Sequence, residues 1–191
     1  MTARMLIAGV GNIFLGDDGF GVEVANRLAA TQLPDWVQVT DYGIRGMHLA
    51  YDLADGYDVT ILIDAAPRGG KPGTVYVIEP DLAPQAVDDD AAVEQNPLFN
   101  AHGMQPDVIF GMLDMLGGQV GKVLVVGCEP ASVDYGIGLS EPVAAAVDEA
   151  VTVVLGLIEQ TGPAGPGQQT HAAQQDLKAA AGDRQSSVTK G

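Results

Sequence analysis

The chain has 191 residues, 47% of them hydrophobic, which is enough for one domain of ordinary size with a substantial core. Its net charge of −16 argues against nucleic acid and anionic membrane surfaces as partners and is compatible with a cation or a basic partner. The single cysteine, Cys128, excludes an intramolecular disulfide framework and a CxxC metal site. The apolar run behind Arg4 is too short to span a membrane, and no small-residue cleavage site follows it, so a soluble cytoplasmic protein is expected.

Five segments read as strands: Arg4–Val10, Val37–Asp41, Val59–Asp64, Thr74–Ile78 and Lys122–Gly127. The first, third and fifth are near-continuous apolar runs, as in strands buried on both faces. Helical stripes lie between and after them. Val22, Ala25, Leu28 and Ala29 form the first. Met47, Ala50 and Tyr51, beside Leu49 and Leu53, form the second. Val108, Met112, Leu113 and Leu116 form the third. The last runs through Val143, Val147, Val151, Val154 and Ile158, with Ser140 as its N-cap and Pro142 in its first turn. Alternating strand and helix predicts an α/β fold, a three-layer αβα sandwich around a mostly parallel five-stranded sheet. The link from Asp64 to Thr74 is too short and turn-rich for a helical crossover, so the strand Thr74–Ile78 is predicted to be antiparallel, at a sheet edge. Residues 79–101, with three prolines and Asp88-Asp89-Asp90, read as a long acidic loop. The domain is expected to cover 1–160. Residues 161–191 carry three basic and two acidic residues and almost no large apolar ones, and are expected to be disordered.

The first strand runs into Gly9-Val10-Gly11-Asn12-Ile13-Phe14-Leu15-Gly16-Asp17-Asp18-Gly19-Phe20-Gly21. Backbone amides at such a turn suit an anion. A phosphate there would sit beside two carboxylates, and unit charges about 4 Å apart repel by roughly 4 kcal/mol at an effective dielectric near 20. The loop therefore suits a cation or carboxylate chemistry.

In open α/β sheets ligands sit outside the carboxyl ends of the strands. Asp17 and Asp18 follow strand one there, and Asp41 ends strand two and leads into Tyr42-Gly43-Ile44-Arg45-Gly46. Asp64 ends strand three, and His102 precedes the third helix. Two carboxylates and an imidazole make a mixed oxygen and nitrogen site for a borderline divalent ion such as nickel or zinc. The same carboxylates suit a general acid/base pair sharing one proton, and spacing does not choose between the two. Each residue also has a plainer role: Asp17 or Asp18 capping the following helix, Asp64 bonding loop amides, His102 at the surface.

These residues resemble the maturation endopeptidases of nickel–iron hydrogenases. The resemblance runs through Gly-x-Gly-Asn-x-x-x-x-Asp-Asp-Gly-x-Gly, Asp41–Gly46, the strand ending in Asp64, the histidine loop, and Gly127-x-x-Pro130 followed by Gly138-Leu139-Ser140. It covers roughly residues 4–160 in order. It implies an endopeptidase that removes the C-terminal extension of the hydrogenase large-subunit precursor after nickel insertion. It also implies that Asp18, Asp64 and His102 bind the nickel already held by that precursor. On that basis Asp18 and Asp64 are expected to position or deprotonate the attacking water while His102 completes the metal contact, and the sequence does not choose between aspartic-type and metal-assisted chemistry. Asp41, Gly43, Arg45 and Gly46 would lie beside the cleft and hold the substrate. Asp17 becomes a cap or supporting partner. The family often has Glu where this chain has Asp18, and an Asp/Ser-Pro-His lead-in where it has Asn100-Ala101-His102. In the free enzyme another divalent metal is an alternative occupant.

Two rival functions are weighed. A nucleotide-binding oxidoreductase would need a glycine where Phe14 stands and an acid about twenty residues past Gly11, whereas Asp41 is thirty past it. A non-catalytic nickel- or precursor-binding chaperone would keep the same residues without cleavage. A Cys128–His102 dyad is a further, minor candidate. His48 is expected on a helix surface, and Trp36 at the start of strand two.

Overall fold

A computed structural model describes residues 4–80 and 121–162. The strands are β1 (Met5–Val10), β2 (Val37–Gly43), β3 (Val59–Ala65), β4 (Val75–Ile78) and β5 (Lys122–Cys128), each within two residues of the predicted bounds. The described helices are α1 (Phe20–Ala29), α2 (Gly46–Ala54) and α3 (Glu141–Thr161). A single 3-10 turn, Gly16–Gly19, leads into α1. The stripe predicted over Val108–Leu116, the acidic loop beyond residue 80 and the tail beyond residue 162 lie outside the described residues. No described helix is long and apolar enough to cross a membrane.

The strand order is β2-β1-β3-β5-β4. β1 runs parallel to β2 and β3, and β3 parallel to β5, with Ile7 opposite Val39 and Ile61, and Ile61 opposite Leu124. β4 lies antiparallel on β5 at the edge, as the short Asp64–Thr74 link requires. The central strands are apolar along most of their length, apart from Thr60 and Asp64 in β3 and Lys122 at the start of β5, because both faces are covered. Met5, Ile7, Ile61, Ile63, Leu124 and Val126 face α1 and α3, meeting Phe20, Val24, Leu28, Val147 and Val154. Leu6, Ala8, Leu62, Val123 and Val125 face the other way, toward Leu49, Ala50 and Leu53 of α2. The alternation of neighbours between the two cores is the period-two geometry of a strand. Trp36 packs against the α1/α3 core, and its carbonyl accepts the Met5 N–H at 2.9 Å.

Two stripes are corrected. In α2 the buried face is Leu49, Ala50 and Leu53; Met47 and Tyr51 are exposed, so the inward stripe sits about one position away from the predicted one. In α1 the inward face continues through Phe20 and Val24, and Ala29 points to solvent. A nine-residue helix offers too few turns for periodicity alone to fix its rotation.

Candidate active site

Gly11, at φ 127°, turns the chain off the end of β1. A Cβ there would lie 1.8 Å from the Asp18 carbonyl and 3.6 Å from Oδ1 of Asp64. No side chain fits that gap, and the absence of one is what lets the Asp18 segment fold back over the ends of β1 and β3. The Asn12 N–H donates to Oδ2 of Asp18 at 2.7 Å, fixing one carboxylate oxygen, while Asn12 Oδ1 accepts from the Phe14 N–H at 3.0 Å. Asp18 is 4% exposed, so this carboxylate is buried at the head of the sheet rather than solvated on a loop.

Asp64 reaches the same place from β3. Its Oδ1 accepts the Ala65 N–H at 2.8 Å. Burial pushes its carboxyl well above the ordinary aspartate range, and the negative charge of Asp18 pushes further; the Ala65 amide pulls the other way and loses. Two carboxylates brought together this way are stabilised by sharing a proton or by taking a cation between them.

Asp17, beside Asp18 in sequence, faces a different group of partners. Its Oδ2 accepts from the Ala131 N–H (2.7 Å), the Ser132 N–H (3.1 Å) and the Ser140 hydroxyl (2.9 Å), and its Oδ1 from the Ser140 N–H (2.6 Å). Burial opposes its ionised form, but these bonds outweigh burial and hold its pKa below the usual value. α1 takes Gly19 as its N-cap with no side-chain cap, so neither aspartate caps the helix that follows it. Asp17 instead ties the 131–140 segment and the start of α3 to the glycine loop. Ser140 precedes α3 as predicted, with its hydroxyl given to Asp17.

The Asp41–Gly46 loop is laced to the glycine loop: the Gly11 N–H donates to the Gly43 carbonyl at 3.1 Å. Arg45 turns back on its own loop, Nε donating to the Tyr42 carbonyl at 3.0 Å and Nη2 to the Asp41 carbonyl. Tyr42 lies buried beneath, its hydroxyl 2.5 Å from Asp52.

A residue that sequence reasoning missed is Glu129, 5% exposed, directly after β5. Its carboxylate accepts the Arg68 N–H at 2.9 Å, the Gly69 N–H at 3.0 Å and the Tyr76 hydroxyl at 3.1 Å. Burial opposes its charge, but those donors prevail and its pKa is lowered. The only trace in the sequence was an acid placed immediately after an apolar strand. Cys128 is fully buried, and burial, followed by the charges of Asp17 and Glu129, pushes its thiol up to about 12, which removes it as a nucleophile near neutral pH. His48 is exposed on α2.

Among the described residues no three His, Cys, Asp or Glu side chains converge to hold a metal ion. The structure brings together Asp18 and Asp64, two of the three residues predicted for the site; His102 lies outside the described residues. The glycine loop offers no phosphate cradle, because the space that Gly11 opens is filled by the Asp18 backbone and faces a carboxylate. Exposed apolar side chains surround this edge of the sheet: Ile13, Phe14, Ile44, Met47, Tyr135 and Ile137.

The profile of the hydrogenase maturation protease family (HycI) matches residues 22–157. A putative hydrogenase maturation protease of Methanocaldococcus jannaschii is 35% identical over 82% of this chain and 97% of its own length. The hydrogenase 2 maturation protease of Escherichia coli is 30% identical over 83% of this chain and 93% of its own. Among solved structures, the E. coli hydrogenase-maturating endopeptidase HybD aligns with a TM-score of 0.69 at 31% identity, covering 83% of this chain and 94% of that one. A hydrogenase 2 maturation peptidase from a Thaumarchaeota archaeon aligns at 0.61 with 34% identity, covering 82% and 98%. With the match over residues 22–157 and relatives of 30% or more identity aligned along most of the chain, the chain belongs to the hydrogenase maturation protease family.

Proposed function

We propose that this chain is an endopeptidase that removes the C-terminal extension from the nickel-loaded large-subunit precursor of a nickel–iron hydrogenase. The observation that supports it is the Asp18–Asp64 pair. One carboxylate is fixed by the Asn12 amide, and the other is driven toward its protonated form by burial and by its neighbour. A protein gains no stability from such a pair; it suits a site that handles a proton or a cation. In this reading the nickel is part of the substrate. Asp18 and Asp64 offer it oxygen donors and His102 a nitrogen, a donor set suited to that ion. A cation so placed relieves the repulsion between the carboxylates and returns them to their ionised form.

For the hydrolytic step, one carboxylate accepts a proton from water as its oxygen adds to the scissile carbonyl carbon. The C–N bond then breaks, and the same proton passes to the departing amine. Nickel in the precursor becomes the condition for cleavage, because the two acids that handle water are the ones that contact it.

Incubating the protein with nickel-loaded and nickel-free precursor, and reading the large-subunit mass, tests this. Truncation only of the loaded form is expected. Binding without truncation would identify a precursor chaperone instead. Truncation of both forms would sink the nickel requirement.

A further inference from the structure

Residues 1–161 hold only six of the nine basic residues, Arg4, Arg27, Arg45, Arg68, Lys71 and Lys122, against a chain charge of −16. Two of the six pair with carboxylates of the domain, and a third, Arg4, directly precedes β1 and so stands at the opposite, amino edge of the sheet. Arg27 pairs with Asp148 at 2.8 Å and lies 3.9 Å from Glu23. Lys122 pairs with Glu79 at 3.3 Å. Arg4 donates to the carbonyls of Asp55 and Gly56, just past α2, and lies over the Tyr57 ring. The other three, Arg45, Arg68 and Lys71, are exposed and have no carboxylate partner among the described residues.

Those three share one location, the carboxyl edge of the sheet, on either side of the Asp18–Asp64 pair. Arg45 stands past the end of β2. Arg68 and Lys71 stand on the loop that leaves β3 and crosses the end of β5 to reach β4. Both supports are built rather than loose. The Arg45 guanidinium is held by two carbonyls, which take two of its five N–H groups, and the residue is exposed. The Arg68–Lys71 loop is clamped by Glu129 through the Arg68 and Gly69 amides and the Gly73 N–H (2.8 Å to the Glu129 carbonyl), and by Cys128, whose carbonyl accepts the Ala66 N–H at 2.8 Å. Tyr76, bonded to the same glutamate, carries the Arg68 guanidinium over its ring at 5.5 Å.

We propose that Arg45 on one side, and Arg68 with Lys71 on the other, form a split basic clamp for carboxylates of a peptide segment lying across the Asp18–Asp64 pair. The clamp rests on the proposed function, so the segment is the precursor's C-terminal region, and the clamp adds that this region is read as an acidic peptide. The dimensions agree. Three to four interstrand spacings of about 4.8 Å separate the two halves, roughly 15–19 Å, a span that five or six extended residues cover. Guanidinium groups suit carboxylates, and preset cations recruit an acidic ligand that the rest of the domain repels. The carboxylates could be side chains of the extension or the terminal carboxylate, and the two sources are separable.

The test is steady-state cleavage of the nickel-loaded precursor by wild type, Arg45→Glu, the double variant Arg68→Glu/Lys71→Glu, and the triple. Each half is expected to raise KM about tenfold with kcat within about twofold, since rim charges act on encounter and docking. Wild-type KM should climb between low and about 0.3 M salt, and that climb should vanish in the triple variant. Arg45→Lys and Arg68→Lys should recover most of the wild-type KM. Neutralising the acidic side chains of the extension, or displacing its terminus with an appended glycine–serine stretch, should reproduce the KM defect for whichever carboxylate is held. A triple variant with wild-type KM and wild-type salt response overturns the clamp while leaving the endopeptidase reading intact. If wild type does not cleave, that reading falls, and precursor binding by the same variants decides the clamp: equal binding overturns it and about tenfold weaker binding supports it.

Discussion

Asp17, Asp18 and Asp64 are three carboxylates at the head of one sheet, and their surroundings assign them different work. Asp17 has four donors and a lowered pKa; Asp64 has one amide and a raised one. Asp17→Ala would leave three amides and a hydroxyl without their acceptor, and should cost about 3 kcal/mol, measured by urea unfolding. Asp64→Asn should do the reverse. A carboxyl whose folded pKa lies above its unfolded one loses stability as pH rises from the unfolded value through the folded one. The variant lacks that loss, so at neutral pH its Tm should exceed wild type by roughly 2–5 °C, and the gain should disappear in acid below the unfolded aspartate range. A lower Tm at neutral pH would mean that Asp64 is structural.

At the scale of elements, the distance between α1 and the sheet sets the site. A Cβ on Gly21 would lie 2.0 Å from the Ile63 carbonyl and 2.3 Å from the Val10 carbonyl, backbone atoms that cannot step aside. Gly21→Ala should therefore destabilise by about 3 kcal/mol and displace the Asp17–Asp18 turn, visible as lost near-UV dichroism or failed folding. The 66–74 connection depends likewise on Glu129. Its lowered pKa means that its contribution is complete above the unfolded glutamate value and is lost as pH falls through the folded one. Glu129→Gln should lower stability at neutral pH by about 2 kcal/mol, and the gap from wild type should close in acid. A gap that persisted unchanged in acid would contradict the assignment. β4 and α2 show what sequence conveys about an element and what it does not. The antiparallel β4 was legible because the Asp64–Thr74 link is too short to cross over. The rotation of α2 was not, because a nine-residue helix with apolar residues on several sides has no unique stripe.

For the molecule as a whole, the central strands and the placement of Asp18 and Asp64 were readable because each rests on local facts: an apolar run, a glycine turn, an acid at a strand end. Glu129 and the true partners of Asp17 were not, because they depend on contacts across more than fifty positions of sequence that no local pattern encodes. Arg68 and Lys71 drew no attention for the same reason; only the sheet order places them and Arg45 on either side of the site. The chain's membership of a protease family and the buried Asp18–Asp64 pair together motivate the proposal that this pair cleaves. The direct measurement is the mass of nickel-loaded large-subunit precursor after incubation with wild type and with Asp64→Asn. Wild type should remove the C-terminal extension, and Asp64→Asn should do so at a kcat lower by about 100-fold or more; equal rates of truncation by the two proteins would contradict the account.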